Sequence, residues 1–274
     1  MSDYSFEGRV AVVTGGASGI GEATARLLAE YGATVVIADI DRERASLVAA
    51  QIGDAGGDAH SIPTDIREEG EIQQLVDAIS GRWGRVDTLV NNAASLELTE
   101  FDGDVLNLSP QVFLDTVRGS VFGAFLMSKA LLPPMLDRGS GSIVNIASVS
   151  GMAGEPALTA YGVAKAGVIQ LTRALSTQYA RRGIRANAIA PAFVNTRNNE
   201  TYASPVFVDV YRRNMSTGFT AETIDIARLV AFLSSEDSRM VTGHVIAADG
   251  GLTDTSPISA DYVAFLSEAA QSAT

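Results

Sequence analysis

At 274 residues, with 46% hydrophobic and 19% charged side chains, the chain can bury a continuous core and lacks the composition of a disordered one. Its 20 Lys and Arg against 32 Asp and Glu leave a net charge of −12, which repels nucleic-acid phosphates and anionic membrane surfaces and argues against both as partners. There is no cysteine, so disulfides and thiolate metal sites are excluded and no metal is expected; the opening MSDYSFEGRVAVVTGG lacks a secretion signal and no membrane-spanning apolar stretch is read, which predicts a cytoplasmic protein.

From Arg9 onward, short β-branched apolar runs alternate with stretches of helical period. In chain order, strands are predicted at Val10–Thr14, Thr34–Ala38, Ala59–Ile62, Thr88–Asn91, Ser142–Ala147, Arg185–Ile189 and His244–Ala248. Helices are predicted at Ile20–Tyr31, Glu43–Ile52, Glu68–Trp83, Pro110–Leu136, Ala160–Arg181 and Ala221–Ser234, several closed by glycine. The pattern predicts an α/β fold: one Rossmann-type, doubly wound parallel sheet of about seven strands, with helices on both faces. No linker or repeat divides residues 1–274, so one domain is expected. Residues 195–220 and the tail 253–274 fall outside the alternation.

The first strand, VAVVTG, runs into G-A-S-G-I-G and then a helix, which places Gly15, Gly19 and Gly21, with Ser18 and Ile20, at a strand-to-helix turn. Glycine there permits a sharp turn and a close approach to a diphosphate, and the helix N-terminus offers free N–H groups. The second strand ends on Asp39, followed by Ile40. An acid at that point accepts hydrogen bonds from an adenosine ribose and repels a 2′-phosphate, while Asp41 reads as the cap of the next helix. No Lys or Arg lies within Gly16–Ala17–Ser18, so NAD is expected over NADP.

Near the middle, Ser148 follows the strand SIVNIA, and Tyr161 and Lys165 stand four apart on one helical face. A lysine cation beside a phenol favours its phenolate, and a serine hydroxyl can hold a substrate oxygen beside it, the arrangement that proton transfer between an alcohol and a carbonyl needs.

Together these motifs resemble the short-chain dehydrogenase/reductase family: T-G-x3-G-x-G at Thr14–Gly21, Asn91-Asn92-Ala93-Ala94, Ser148 ahead of Tyr161-x3-Lys165, and Pro191-Ala192 followed by Thr196. The resemblance spans about Phe6 to Leu252. It implies Tyr161 as general acid–base, Lys165 on the nicotinamide ribose, and Ser148 on the substrate oxygen. It also implies Asp65 and Ile66 at the adenine, Asn91 and Ala93 on the adenosine side, and Pro191, Val194 and Thr196 near the carboxamide. Ala94 and Ala192 replace family glycines, a mild departure. Ser120 stands where the family carries its fourth catalytic residue, an asparagine, and predicts a modified proton relay. The family also implies a homo-oligomer, a tetramer ahead of a dimer.

The implied reaction is hydride transfer between NAD(H) and a secondary alcohol or ketone. Residues 195–220 would form a substrate lid bearing Tyr202, Phe207 and Tyr211, facing Leu96, Met152 and Glu155, which predicts a bulky, largely uncharged substrate of cyclic, aromatic or steroid type. A serine hydrolase would need a histidine base, and only His60 and His244 exist, both at predicted strand ends. A non-catalytic NAD sensor on the same fold is the competing reading, opposed by the intact Ser148–Tyr161–Lys165 set. The Tyr-to-Lys spacing is also narrower than an enoyl reductase is expected to have.

Overall fold

Of the apolar runs that read as strands, the central ones are buried, as parallel strands between two helical layers must be, while the two edge strands are only partly buried. In a computed structural model describing residues 4–196, 204–256 and 258–272, they are β1 (Val10–Thr14), β2 (Thr34–Asp39), β3 (Asp58–Pro63), β4 (Thr88–Asn91), β5 (Gly141–Ile146) and β6 (Ile184–Pro191). A short parallel pair follows, β7 (Val194–Asn195) with β8 (Ala221–Glu222), and then β9 (Val245–Ala248). β1–β6 and β9 form one seven-stranded sheet in the order β3-β2-β1-β4-β5-β6-β9, parallel throughout. The order reverses between β1 and β4, and it is at such a switch point, outside the carboxyl ends of the strands, that a doubly wound sheet opens a ligand crevice.

The helices are α1 (Gly19–Glu30), α2 (Arg42–Asp54), α3 (Glu69–Arg82), α4 (Pro110–Val117), α5 (Gly123–Arg138), α6 (Thr159–Tyr179), α7 (Pro205–Asn214), α8 (Thr223–Ser234) and α9 (Ser259–Ser272). They cover two large apolar cores and a smaller cluster in which Val168 and Ile169 of α6 meet Ala147, Ala188 and Ala190. One large core gathers Val13, Leu28, Val35, Ile37 and Val230; the other gathers Val12, Val36, Leu75, Leu89 and Met135. Alternate residues of β1 and β2 thus enter opposite cores, the period-two consequence of strand geometry.

Three elements differ from their predicted form. The stretch from Pro110 is not one helix: a π turn at Arg118–Phe122 separates α4 from α5, with Ser120 at its centre. Within Pro110–Arg138 an 18-residue window reaches a mean hydropathy of 1.3, apolar enough by length and composition to cross a membrane, but 56% of that window is buried inside the fold. Ala221 and Glu222 pair with β7 before α8 begins, and the Glu222 and Asp225 side chains close a capping box that starts the helix at Thr223. In the tail, α9 lies against α7.

Candidate active site

The glycine loop is built by steric necessity. Gly15 and Gly19 take φ of 64° and 54°, the left-handed region where a side chain is strained. Gly21 is helical, yet a Cβ there would stand 2.0 Å from the Gly15 carbonyl oxygen. Ser18 precedes α1 without spending its side chain on the helix start, which leaves the first N–H groups and the positive end of the helix dipole open towards the crevice. Such a cradle of backbone donors fits a diphosphate. Gly21→Ala is expected to cost about 1–3 kcal/mol of stability through overpacking and to weaken binding of a diphosphate-bearing dinucleotide, measured by thermal unfolding and by titration. Wild-type values for both would mean that the turn has room the geometry denies.

Asp39 ends β2 beside this loop and accepts the Ala17 N–H at 2.9 Å and the Asp41 N–H at 2.9 Å. Asp41 caps α2 by accepting the Arg44 N–H, 3.0 Å away. Arg44 is a cation that the loop sequence does not reveal: its Nε donates to the Ala17 carbonyl at 2.8 Å, and its guanidinium is 4.0 Å from Glu22. Ile40 is exposed and shares with Asp65 a cavity of about 360 Å³. The Arg67 guanidinium, 2.7 Å from Asp65, holds that carboxyl below the usual range. Ile66 is buried against Gly123 at the start of α5.

Asn91 and Asn92 divide one task. Asn91 is buried, and its amide donates to Asn145 at 2.8 Å and Ser128 at 3.1 Å, tying β4 to β5 and α5. Contact with the glycine loop falls to Asn92, whose amide donates to the carbonyls of Thr14 and Gly15, both at 3.0 Å. The Ala93 N–H reaches Thr14 Oγ1 at 3.1 Å. On the far side of the crevice, Pro191 ends β6, Val194 is buried, and Thr196 lies close to Gly19.

The residues expected to carry the chemistry come together where β5 and α6 meet. Lys165 is buried, and its Nζ donates to the Ile146 carbonyl at 2.8 Å while standing 5.6 Å from the Tyr161 ring centroid. Burial pulls the lysine down to about 8. Burial pushes the Tyr161 phenol up to about 12, outweighing the Ser148 hydroxyl, which favours the phenolate when it turns to donate to it, and the Glu155 charge adds in the raising direction. The sequence leads one to expect a phenol drawn towards neutrality by Lys165; in the resting site desolvation wins and Tyr161 holds its proton.

A distant carboxylate fixes this helix. Asp102 accepts the N–H groups of Ala160 at 3.1 Å and Tyr161 at 2.9 Å, capping α6 from the loop after β4, and Leu158 enters the helix at φ 62°. Sequence reasoning missed Asp102, because no local spacing links it to Tyr161.

Ser148 Oγ accepts the Ser150 N–H and donates to Ser150 Oγ, each at 3.2 Å, and Ser150 in turn donates to the Glu155 carboxylate. Opposite stands an aromatic group: Tyr211 of α7 is 5.4 Å from Phe193 and 5.3 Å from Phe207 between ring centroids. Burial and the Glu155 charge both raise the Tyr211 phenol. Phe193, also unforeseen, follows the Pro191-Ala192 turn and anchors α7. Leu96 and Met152 are exposed near the ends of short 3-10 turns. Tyr202 lies outside the described residues. Ser120 is buried, and its hydroxyl has no hydrogen-bond partner among the described residues. Those residues also hold no cluster of metal-ligating side chains.

A family model described as "Enoyl-(Acyl carrier protein) reductase" matches residues 15–253. The chain is 39% identical to the cis-4-hydroxycyclohexanecarboxylate dehydrogenase of Sinomonas cyclohexanicum, over 91% of this chain and 98% of that one. It is 34% identical to the 7alpha-hydroxysteroid dehydrogenase of Bacteroides fragilis, over 92% and 97%. A gluconate 5-dehydrogenase from Burkholderia cenocepacia, solved in complex with NADP and tartrate, superposes with a TM-score of 0.86 at 31% identity, covering 93% of this chain and 98% of its own.

Proposed function

The chain belongs to the short-chain dehydrogenase/reductase family and is an oxidoreductase of alcohols and ketones, and from that premise we propose that it oxidises a bulky, uncharged secondary alcohol with NAD. The observation that carries this reading is the placement of Tyr161 between Ser148 and Lys165 on one side and the aromatic group of Tyr211 on the other, with Glu155 beside both phenols.

The loop Gly15–Gly21 would hold the diphosphate, Asp39 the adenosine ribose, Ile40, Asp65 and Ile66 the adenine, Lys165 the second ribose, and Val194 and Thr196 the carboxamide. When bound, the nicotinamide supplies the hydride acceptor. Tyr161 Oη, once it has given up its own proton, receives that of the alcohol as a phenolate, and Ser148 Oγ orients the reacting oxygen. The Phe193, Phe207 and Tyr211 rings provide apolar area for a ring-bearing substrate, and the Glu155 carboxylate repels an acidic one. The steroid and cyclohexane substrates in the names of two relatives fit the aromatic wall. The carboxylate of the second, and gluconate, would meet Glu155.

For the cofactor, the Asp39 carboxylate disfavours a 2′-phosphate; of the two cations near it, Arg44 is already bonded to the Ala17 carbonyl, and Arg42 lines the cavity that Ile40 and Asp65 share. The expected result is a higher kcat/KM with NAD than with NADP, and highest on cyclic, aryl or steroid alcohols in a panel that also holds sugars and hydroxy acids. Preference for NADP would remove Asp39 from its role, and preference for a charged or polyhydroxylated compound would refute the substrate class.

A further inference from the structure

Every turnover of an alcohol dehydrogenase leaves one proton on the acid–base group, and that group must lose it before the next. In this chain the position where the family keeps an asparagine is Ser120, buried at the centre of the π turn with a hydroxyl that bonds nothing among the described residues. It offers no side-chain link to carry a proton onward. On the other side of Tyr161 there is such a link. Ser148 is buried, Ser150 is half-buried and Glu155 is exposed, so the three form a hydrogen-bonded line from the phenol to solvent.

Building on the alcohol-oxidoreductase reading, we propose that Glu155 is the outer end of a proton path that leaves Tyr161 through the hydroxyls of Ser148 and Ser150. The donor directions already point outward: Ser148 donates to Ser150, and Ser150 donates to the Glu155 carboxylate. In one concerted shift the Tyr161 O–H bond breaks as an O–H bond forms on Ser148. The former Ser148 proton passes to Ser150, and the former Ser150 proton passes to a Glu155 oxygen. The line then holds a Tyr161 phenolate and a neutral Glu155 carboxyl, with three O–H bonds broken and three made. Glu155, facing water, releases its proton to solvent. The negative charge has only moved inward along the line, from Glu155 to Tyr161 beside Lys165, so the two sites share a single proton between them. A carboxylate is the right group for the outer end because its oxygen already accepts from Ser150 and, exposed to water, can pass a proton to solvent. Ser148 thus has a second task, relaying a proton as well as orienting substrate.

Glu155→Gln keeps the acceptor for Ser150 but cannot take a proton, and Ser150→Ala cuts the line at its middle. The enzyme, NAD and an alcohol that it turns over are mixed in weak buffer with an indicator dye, and nicotinamide reduction and proton release are followed together. With Glu155→Gln, proton release should lag behind reduction and kcat should fall about 10-fold, less than on losing the acid–base group itself because water substitutes in part. Added imidazole should restore both, and Ser150→Ala should behave alike. Wild-type proton release in weak buffer overturns the proposal; so does a loss that no concentration of imidazole repairs, which marks a structural role. A second readout needs no cofactor: the ultraviolet titration of the Tyr161 phenol, isolated by subtracting the Tyr161→Phe curve. The groups facing this phenol are Ser148, Lys165, Glu155 and Tyr211, and removing the Glu155 charge alone should bring its ionisation to lower pH. An unmoved curve means that Glu155 and Tyr161 are uncoupled, and the path falls. If the wild type oxidises no alcohol with either cofactor, the alcohol-oxidoreductase reading fails, while this titration still judges the line.

Discussion

Tyr161→Phe is expected to lower kcat by roughly 100-fold or more, the contribution of a positioned acid–base group, while leaving the affinity for the nicotinamide cofactor within about twofold, because binding rests mainly on contacts elsewhere in the crevice. The ring is kept, so the packing against Lys165 survives and only the hydroxyl is lost. The variant should also change stability in strong base. Since the phenol is pushed up to about 12 from its usual 10, the folded chain keeps a proton that the unfolded chain releases between those values. Wild-type stability therefore falls as pH rises through that window, and the fall should be shallower in the variant. Steady-state kinetics with equilibrium NAD titration checks the first part, and urea unfolding in strong base checks the second. Turnover near the wild-type rate would remove Tyr161 from the chemistry altogether.

Lys165→Met is expected to separate activity from stability. Turnover should drop by roughly 100-fold or more, because the phenolate formed during the reaction loses its stabilising cation. The fold should become more stable. Moving a buried lysine from its usual 10.5 to about 8 corresponds to about 3 kcal/mol carried by the folded state at neutral pH. Against this, the Ile146 carbonyl loses its donor, at about 1–3 kcal/mol, so the expected net gain is about 1 kcal/mol. The sign has a pH signature. Between about 8 and 10.5 the unfolded chain holds a proton that the folded chain has released, so wild-type stability rises with pH through that window. In the methionine variant this rise should vanish, so the wild type, the less stable of the two at neutral pH, should overtake the variant as pH increases through the window. Urea midpoints across that window measure it, and a variant less stable than wild type at neutral pH would show that the carbonyl outweighs the buried charge.

The residues legible in the sequence are those whose role is local. Gly15, Gly19 and Gly21 belong to one strand–turn–helix unit, and Tyr161 and Lys165 share one face of one helix, so spacing alone places them. The same holds for β1–β6 and β9, where each apolar run needs only its own period to declare itself. Ser148 stands out by its position after a strand, and Asp39 by the end of another. What the sequence could not give is set by contacts between segments far apart in the chain. Asp102 caps α6 from the loop after β4, Arg44 reaches back from α2 to Ala17, Asn92 braces the glycine loop, and Phe193 anchors α7. The π turn at Ser120 likewise has no signature in local propensity. The Tyr161 phenol is the clearest case. Its neighbour Lys165 is visible in the sequence and predicts a lowered value, but desolvation depends on every element packed around the ring, and only the tertiary structure decides that burial prevails.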